Sequence, residues 1–158
     1  MIRETDADRS NEDGVAEKLA RSWNCEQRKL THLSHIDRHL YRDGDLVAHV
    51  EIKCRNNTHD KFDEYFIDAM KLGNGLWASH YEGVPFFLVV RFTDGIYWIR
   101  VDKDVVSNQR KGGRKDRGDP NDIELCCYIK HQRFTKLAEV GEHQQGTEGG
   151  RDTLRTAA

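Results

Sequence analysis

The chain contains no apolar run near the roughly 18 residues that a membrane-spanning helix needs, so no membrane association is expected. Its opening segment, MIRETDADRSNED, is acidic and polar and does not read as a secretory signal. There is no CxxC pair among the four cysteines Cys25, Cys54, Cys126 and Cys127, which argues against a zinc knuckle or a disulfide framework. Buried thiols in a reducing compartment are the expectation, and with it a soluble intracellular protein. Internal repeats are absent. Gly112-Gly113 matches no phosphate-binding loop pattern, which argues against a nucleotide-hydrolysing motor.

What is present fits one domain. At 158 residues, 37% apolar and 33% charged, the chain has a modest core and a highly charged surface. The net charge of −2 is unevenly spread. Residues 107–136 carry eight lysines and arginines against four acids, an excess that suits phosphate contacts through counterion release. Arg110, Lys111, Arg114, Lys115 and Arg117 are the candidates there for binding DNA. A solvated loop explains the same charges equally well.

Along the chain, residues 1–11 are expected to be a flexible N-terminus, residues 12–140 a single domain, and residues 141–158 a disordered polar tail. Asn11 can cap a helix over 12–23 that buries Val15, Ala16, Leu19 and Trp23. Leu30–Tyr41 and Leu46–Cys54 have strand character and are separated by Arg42-Asp43-Gly44-Asp45, a tight-turn signal. The stripe Phe62, Tyr65, Phe66, Ala69 and Met70 predicts a helix over 61–72, capped by Asp60 and stopped by Gly73-Asn74-Gly75. Phe86–Phe92 reads as a strand buried on both faces, with Ile96–Val101 as its hairpin partner. Residues 107–122 read as a long basic loop, Ile123–Ile129 as a last strand, and Phe134–Val140 as a short helix or turn. The fold class is α/β of the mixed α+β kind: one central mixed β-sheet flanked by helices.

The informative stretch is His35-Ile36-Asp37, then His49-Val50-Glu51-Ile52-Lys53. Alternate residues of a strand share a face. Leu46, Ala48, Val50, Ile52 and Cys54 therefore face a core, while Val47, His49, Glu51 and Lys53 share the other side. A hairpin turning near residues 43–44 places Asp37 opposite about position 50, and one residue of slack sets it beside Glu51. Like charges on neighbouring strands repel, and a divalent cation removes that penalty. Two carboxylates are hard oxygen ligands suited to Mg²⁺ or Mn²⁺. Lys53 can reach a phosphate oxygen or an attacking water. Phosphodiester hydrolysis needs both a cation that activates water and a positive group beside the developing charge. An exposed charged strand would show the same alternation.

Asp37, a hairpin turn and Glu51-Ile52-Lys53, fourteen residues apart from first acid to second, resemble the signature of the PD-(D/E)xK nuclease superfamily. The resemblance covers roughly residues 12–105, and the later glycine- and arginine-rich stretch is similar to small bacteriophage members. It implies a restriction-endonuclease-like core and a metal-dependent DNA endonuclease in the cytoplasm of a bacterial or phage-infected cell. Asp37, Glu51 and the main-chain carbonyl of Ile52 would bind Mg²⁺ or Mn²⁺, and Lys53 would orient or help deprotonate the attacking water. Glu17 matches a position that in some members adds a metal contact, and Lys71 is placed to reach a phosphate. Ile36 stands where the eponymous proline would be, and no Gln-x-x-x-Tyr follows the Glu51 strand, so similarity to RecB-like exonucleases is doubtful. Two-strand cutting would favour a homodimer. A catalytically inactive DNA-binding module of the same fold is the alternative.

His35 and His39 flank Asp37, and His49 precedes Glu51 by two; each reads as a polar surface residue before a ligand. Trp77, Tyr97 and Trp98 could stack on bases, although Trp98 fits a core better. Replacing Glu51 by alanine is expected to spare the fold, because it relieves repulsion between carboxylates.

Overall fold

The computed structural model describes residues 6–31, 33–113, 118 and 123–139. Helix α1 (Asp6–Ser22) leads into strands β1 (Glu26–Lys29), β2 (Arg38–Arg42) and β3 (Asp45–Cys54). Strand β4 (Glu64–Asp68) runs directly into α2 (Ala69–Glu82), followed by β5 (Phe86–Phe92) and β6 (Gly95–Arg100). A short helix α3 (Lys103–Ser107), strands β7 (Gln109–Gly113) and β8 (Ile123–Lys130), a 3-10 turn at His131–Arg133 and β9 (Thr135–Lys136) complete it. The main sheet has the order β1-β2-β3-β5-β6-β9, with β3 and β5 parallel and the other pairs antiparallel. A smaller antiparallel sheet has the order β4-β8-β7. No described helix is long and apolar enough to cross a membrane.

The main sheet is covered on both sides. On one, Val15, Ala16, Leu19 and Trp23 of α1 pack against Leu40, Ala48, Val50, Ile52, Phe87 and Val89. On the other, Leu72 of α2, Val105 of α3 and Tyr65, Ile67, Cys127 and Ile129 of the smaller sheet pack against Phe86, Leu88, Val90 and Phe92. Strand β5 feeds alternate residues to the two cores, which is why its sequence is an almost unbroken apolar run. Trp98 packs edge-on against Trp23 at 5.5 Å and Phe87 at 5.7 Å, so it is structural.

The β2–β3 turn has Asp43 at φ 51 and Gly44 at φ 84, the two positive values that tight hairpins of this twist require. Pairing runs Arg42↔Asp45 and Tyr41↔Leu46, then shifts by one at a bulge to Leu40↔Ala48, His39↔His49 and Arg38↔Val50. That shift is the residue of slack needed to bring Asp37 level with Glu51.

Several expectations are corrected. Helix α1 begins at Asp6, so residues 6–11 are helical, not a loose lead-in. Among its described residues, the segment expected as a strand from Leu30 is irregular backbone, a turn and bends until Arg38, and β1 precedes it. The predicted helix over 61–72 is strand β4 in its middle, Glu64–Asp68, and only its last four residues are helical. Pairing with β8 overrides the helical stripe: Tyr65 and Ile67 are buried at period two, while Phe62, Phe66 and Met70 are exposed. Helix α2 starts at Ala69, and its N-cap is Asp68, whose carboxylate accepts from the Met70 N–H at 2.8 Å. It passes through Gly73-Asn74-Gly75 and stops at Gly83, at φ 68. Gly75 lies against the Phe86 ring, where a Cβ would come within 2.2 Å of it. Residues 109–113 of the expected basic loop form β7. Among the described residues from Phe134 to 139, the expected short helix is replaced by the two-residue β9.

Candidate active site

Strands β2 and β3 set the acids. Asp37 sits one residue before β2, and its Oδ2 accepts a hydrogen bond from the Ile52 N–H at 3.2 Å. Glu51 projects from β3 to the face opposite Val50 and Ile52, and is only 1% exposed. It does not lie in unrelieved apolar surroundings: its Oε1 accepts from the ammonium of Lys53 at 3.0 Å and from that of Lys71 at 3.0 Å. Lys53 comes from the same strand two residues on, and Lys71 from the first turn of α2. The helix expected to carry Lys71 has moved, yet the residue reaches the site, bonded to a carboxylate.

Burial is the largest influence on the Glu51 carboxyl and raises its pKa; Lys53 opposes this, and the negative charge of Asp37 reinforces it. For Lys53, burial works against the charged form, but Glu51 and Asp37 outweigh it, and its pKa lies above the ordinary lysine value. The site is therefore two mutually repelling carboxylates held together by ammonium groups.

Such a donor set fits a hard divalent cation. Asp37 and Glu51 offer carboxylate oxygens, and the negative charge of Asp37 acts on Glu51. Glu12, an acid of α1, acts on Lys53, and its charge helps raise the lysine's pKa. Glu17 instead accepts a hydrogen bond from Gln27 at 3.0 Å. The sequence offered no means of choosing between these two, because α1's rotation against the sheet is set by packing.

The proposed DNA contacts are divided. Arg110 on β7 pairs with Glu64 and lies 4.0 Å above the Tyr128 ring, while Lys111 is exposed. Arg114, Lys115 and Arg117 lie outside the described residues. His35 is exposed, but His49, expected at the surface, is fully buried. Trp77 and Tyr81 are exposed and stacked on each other at 5.5 Å.

Residues 2–137 match the model of a family described as "Phage putative PDDEXK endonuclease". The chain belongs to that family. Its fold is also similar to that of a Holliday junction resolvase, Hjc, from the archaeal hyperthermophile Archaeoglobus fulgidus, with a TM-score of 0.58 and 11% identity over 88% of this chain and 99% of that one. No curated protein matches the chain in sequence. Membership of the PD-(D/E)xK superfamily, expected from Asp37 and Glu51-Ile52-Lys53, is thus shown, as is the restriction-endonuclease-like core.

Proposed function

We propose that this member of the family is a divalent-metal-dependent endonuclease that hydrolyses DNA phosphodiester bonds. The observation that carries the reading is the convergence of Asp37, Glu51 and Lys53 at the edge of the β2–β3 pairing. Asp37, Glu51 and the main-chain carbonyl of Ile52 would hold Mg²⁺ or Mn²⁺. A cation there would supply Lewis-acid activation of water and of the scissile phosphate.

The chain's own residues do the rest. Lys53, with three donors on its ammonium, orients the attacking water and faces the charge that develops on the phosphate. Lys71 covers Glu51 until substrate arrives, then donates to a phosphate oxygen. Lys111 and the arginines of the same stretch hold the DNA backbone away from the chemistry.

The test is plasmid cleavage with Mg²⁺, Mn²⁺ or EDTA. Metal-dependent nicking should fall by about 10²–10³-fold in Lys53→Ala, the usual loss when one charge-stabilising donor is removed. Salt-sensitive DNA binding without cleavage in the wild-type protein would instead support the inactive binding module, and the absence of both would reject a role on DNA.

A further inference from the structure

A second cluster lies on the same strand pair and takes no part in the proposed chemistry. His49 sits on β3 two residues before Glu51, about 7 Å along the strand. It is 0% exposed, and among the described residues neither ring nitrogen has a hydrogen-bond partner. Buried polar groups are almost always satisfied, so an orphaned imidazole calls for a ligand.

Its neighbours supply the rest of a binding set. His39 is its cross-strand partner, with ring centroids 4.6 Å apart. Glu82, the last residue of α2, brings Oε1 to 3.7 Å from His49 Nε2, too long for a hydrogen bond. One donor atom from each of His39, His49 and Glu82 lies within 4.8 Å of the other two. Donors around a tetrahedral ion at about 2.0–2.1 Å stand about 3.4 Å apart, so only small side-chain shifts close the set. A simple His49–Glu82 ion pair leaves the second histidine unexplained, and charging both adjacent imidazoles would make them repel.

We propose that His39, His49 and Glu82 bind a transition metal of the Zn²⁺ class, at a site separate from Asp37 and Glu51. Two nitrogen donors and one carboxylate select a borderline-soft ion, whereas the all-oxygen pair selects Mg²⁺ or Mn²⁺. The hydroxyl of Tyr41, 3.4 Å from His39 Nδ1, is placed to orient that ring from behind. Glu82 is 41% exposed at its side chain, so a remaining coordination position opens to water. The ion ties the β2–β3 hairpin, which carries the acids, to the far end of the helix that carries Lys71. The inference is independent of the nuclease reading.

The test uses the full chain stripped by chelator. Calorimetric titration should show one equivalent of Zn²⁺ bound to the wild-type protein and to Glu51→Gln, and lost from Glu82→Gln and His39→Gln. Co²⁺ should give the intense visible bands of a four-coordinate site in the same two proteins that keep Zn²⁺. Circular dichroism establishes that the variants fold; Glu82 is exposed enough for its variant to do so. Equal Zn²⁺ binding by wild type and Glu82→Gln, or no stoichiometric binding by the wild type, would overturn the proposal.

Discussion

Oδ2 of Asp37 accepts the N–H of Ile52 at 3.2 Å, across the open end of the β2–β3 hairpin. The strand pairing stops at Arg38↔Val50, so this carboxylate takes the N–H that a continuing strand would have bonded. One interaction both finishes the sheet edge and fixes an acid beside Glu51. Asp37→Asn keeps an acceptor oxygen and should keep the unfolding free energy within about 1 kcal/mol of wild type. It should nevertheless lose Mg²⁺-dependent cleavage. Retained cleavage in that variant would remove Asp37 from the catalytic set.

The ion pairs around Glu51 reverse the expectation drawn from repulsion alone. Truncation to alanine deprives Lys53, whose side chain is 21% exposed, of its bonded partner and leaves Asp37 and Glu12 as counter-charges. Breaking a fully buried pair costs about 3–5 kcal/mol, and the partial exposure here reduces this to about 1–3. Denaturant unfolding of metal-free Glu51→Ala should show that loss; unchanged or higher stability would mean that the carboxylate repulsion dominates.

Two glycines of α2 should respond to alanine with opposite signs. Gly73 is exposed with nothing within 4 Å of an added Cβ, so Gly73→Ala should stabilise by up to about 1 kcal/mol through helix propensity. At Gly75 the added carbon would meet the Phe86 ring at 2.2 Å, and overpacking should destabilise by about 1–3 kcal/mol. Thermal denaturation of both variants checks the helix placement itself, because a helix stopped at Leu72 would put Gly73 at a left-handed cap, where alanine destabilises rather than stabilises.

Arg38 is 3% exposed and is held by Asp13 and by Gln27 at 2.8 Å. The hydrogen bond from Arg38 holds the Asp13 carboxyl below its ordinary value near 3.8. A depressed folded-state pKa gives stability that is present above the unfolded value and lost as pH falls through the folded one. Asp13→Asn should therefore be less stable than wild type at pH 6, with the difference shrinking below about pH 4. A gap that stays constant down to pH 2 would show that the charge on Asp13 is not what Arg38 needs.

Lys111 is exposed on β7, whereas Arg110 is engaged by Glu64 and Tyr128. If Lys111 contacts a phosphate, Lys111→Ala should lower the slope of log affinity against log salt by about 0.9. Fluorescence anisotropy on duplex DNA in EDTA measures it, and an unaltered slope would place β7 away from the DNA.

The sequence by itself determined the elements whose patterns are local. The Asp43-Gly44 turn and the double-sided apolar run of β5 depend on backbone preference and strand period and are present as read, as is the two-face split of β3 from Ala48 to Lys53. Val47, read onto the Glu51 face, instead packs with Ala48 and Val50 because the bulge falls there. Asp37, Glu51 and Lys53 were legible because they lie within one hairpin, where register follows from the turn. Tertiary structure decided what depends on distant partners. Residues 64–68 carry a helical stripe, yet pair with β8 some sixty residues later, because joining a sheet buries Tyr65 and Ile67 against β5. That displacement put Lys71 on Glu51, carried Glu82 to His49, and buried a histidine that the strand pattern alone assigned to the surface.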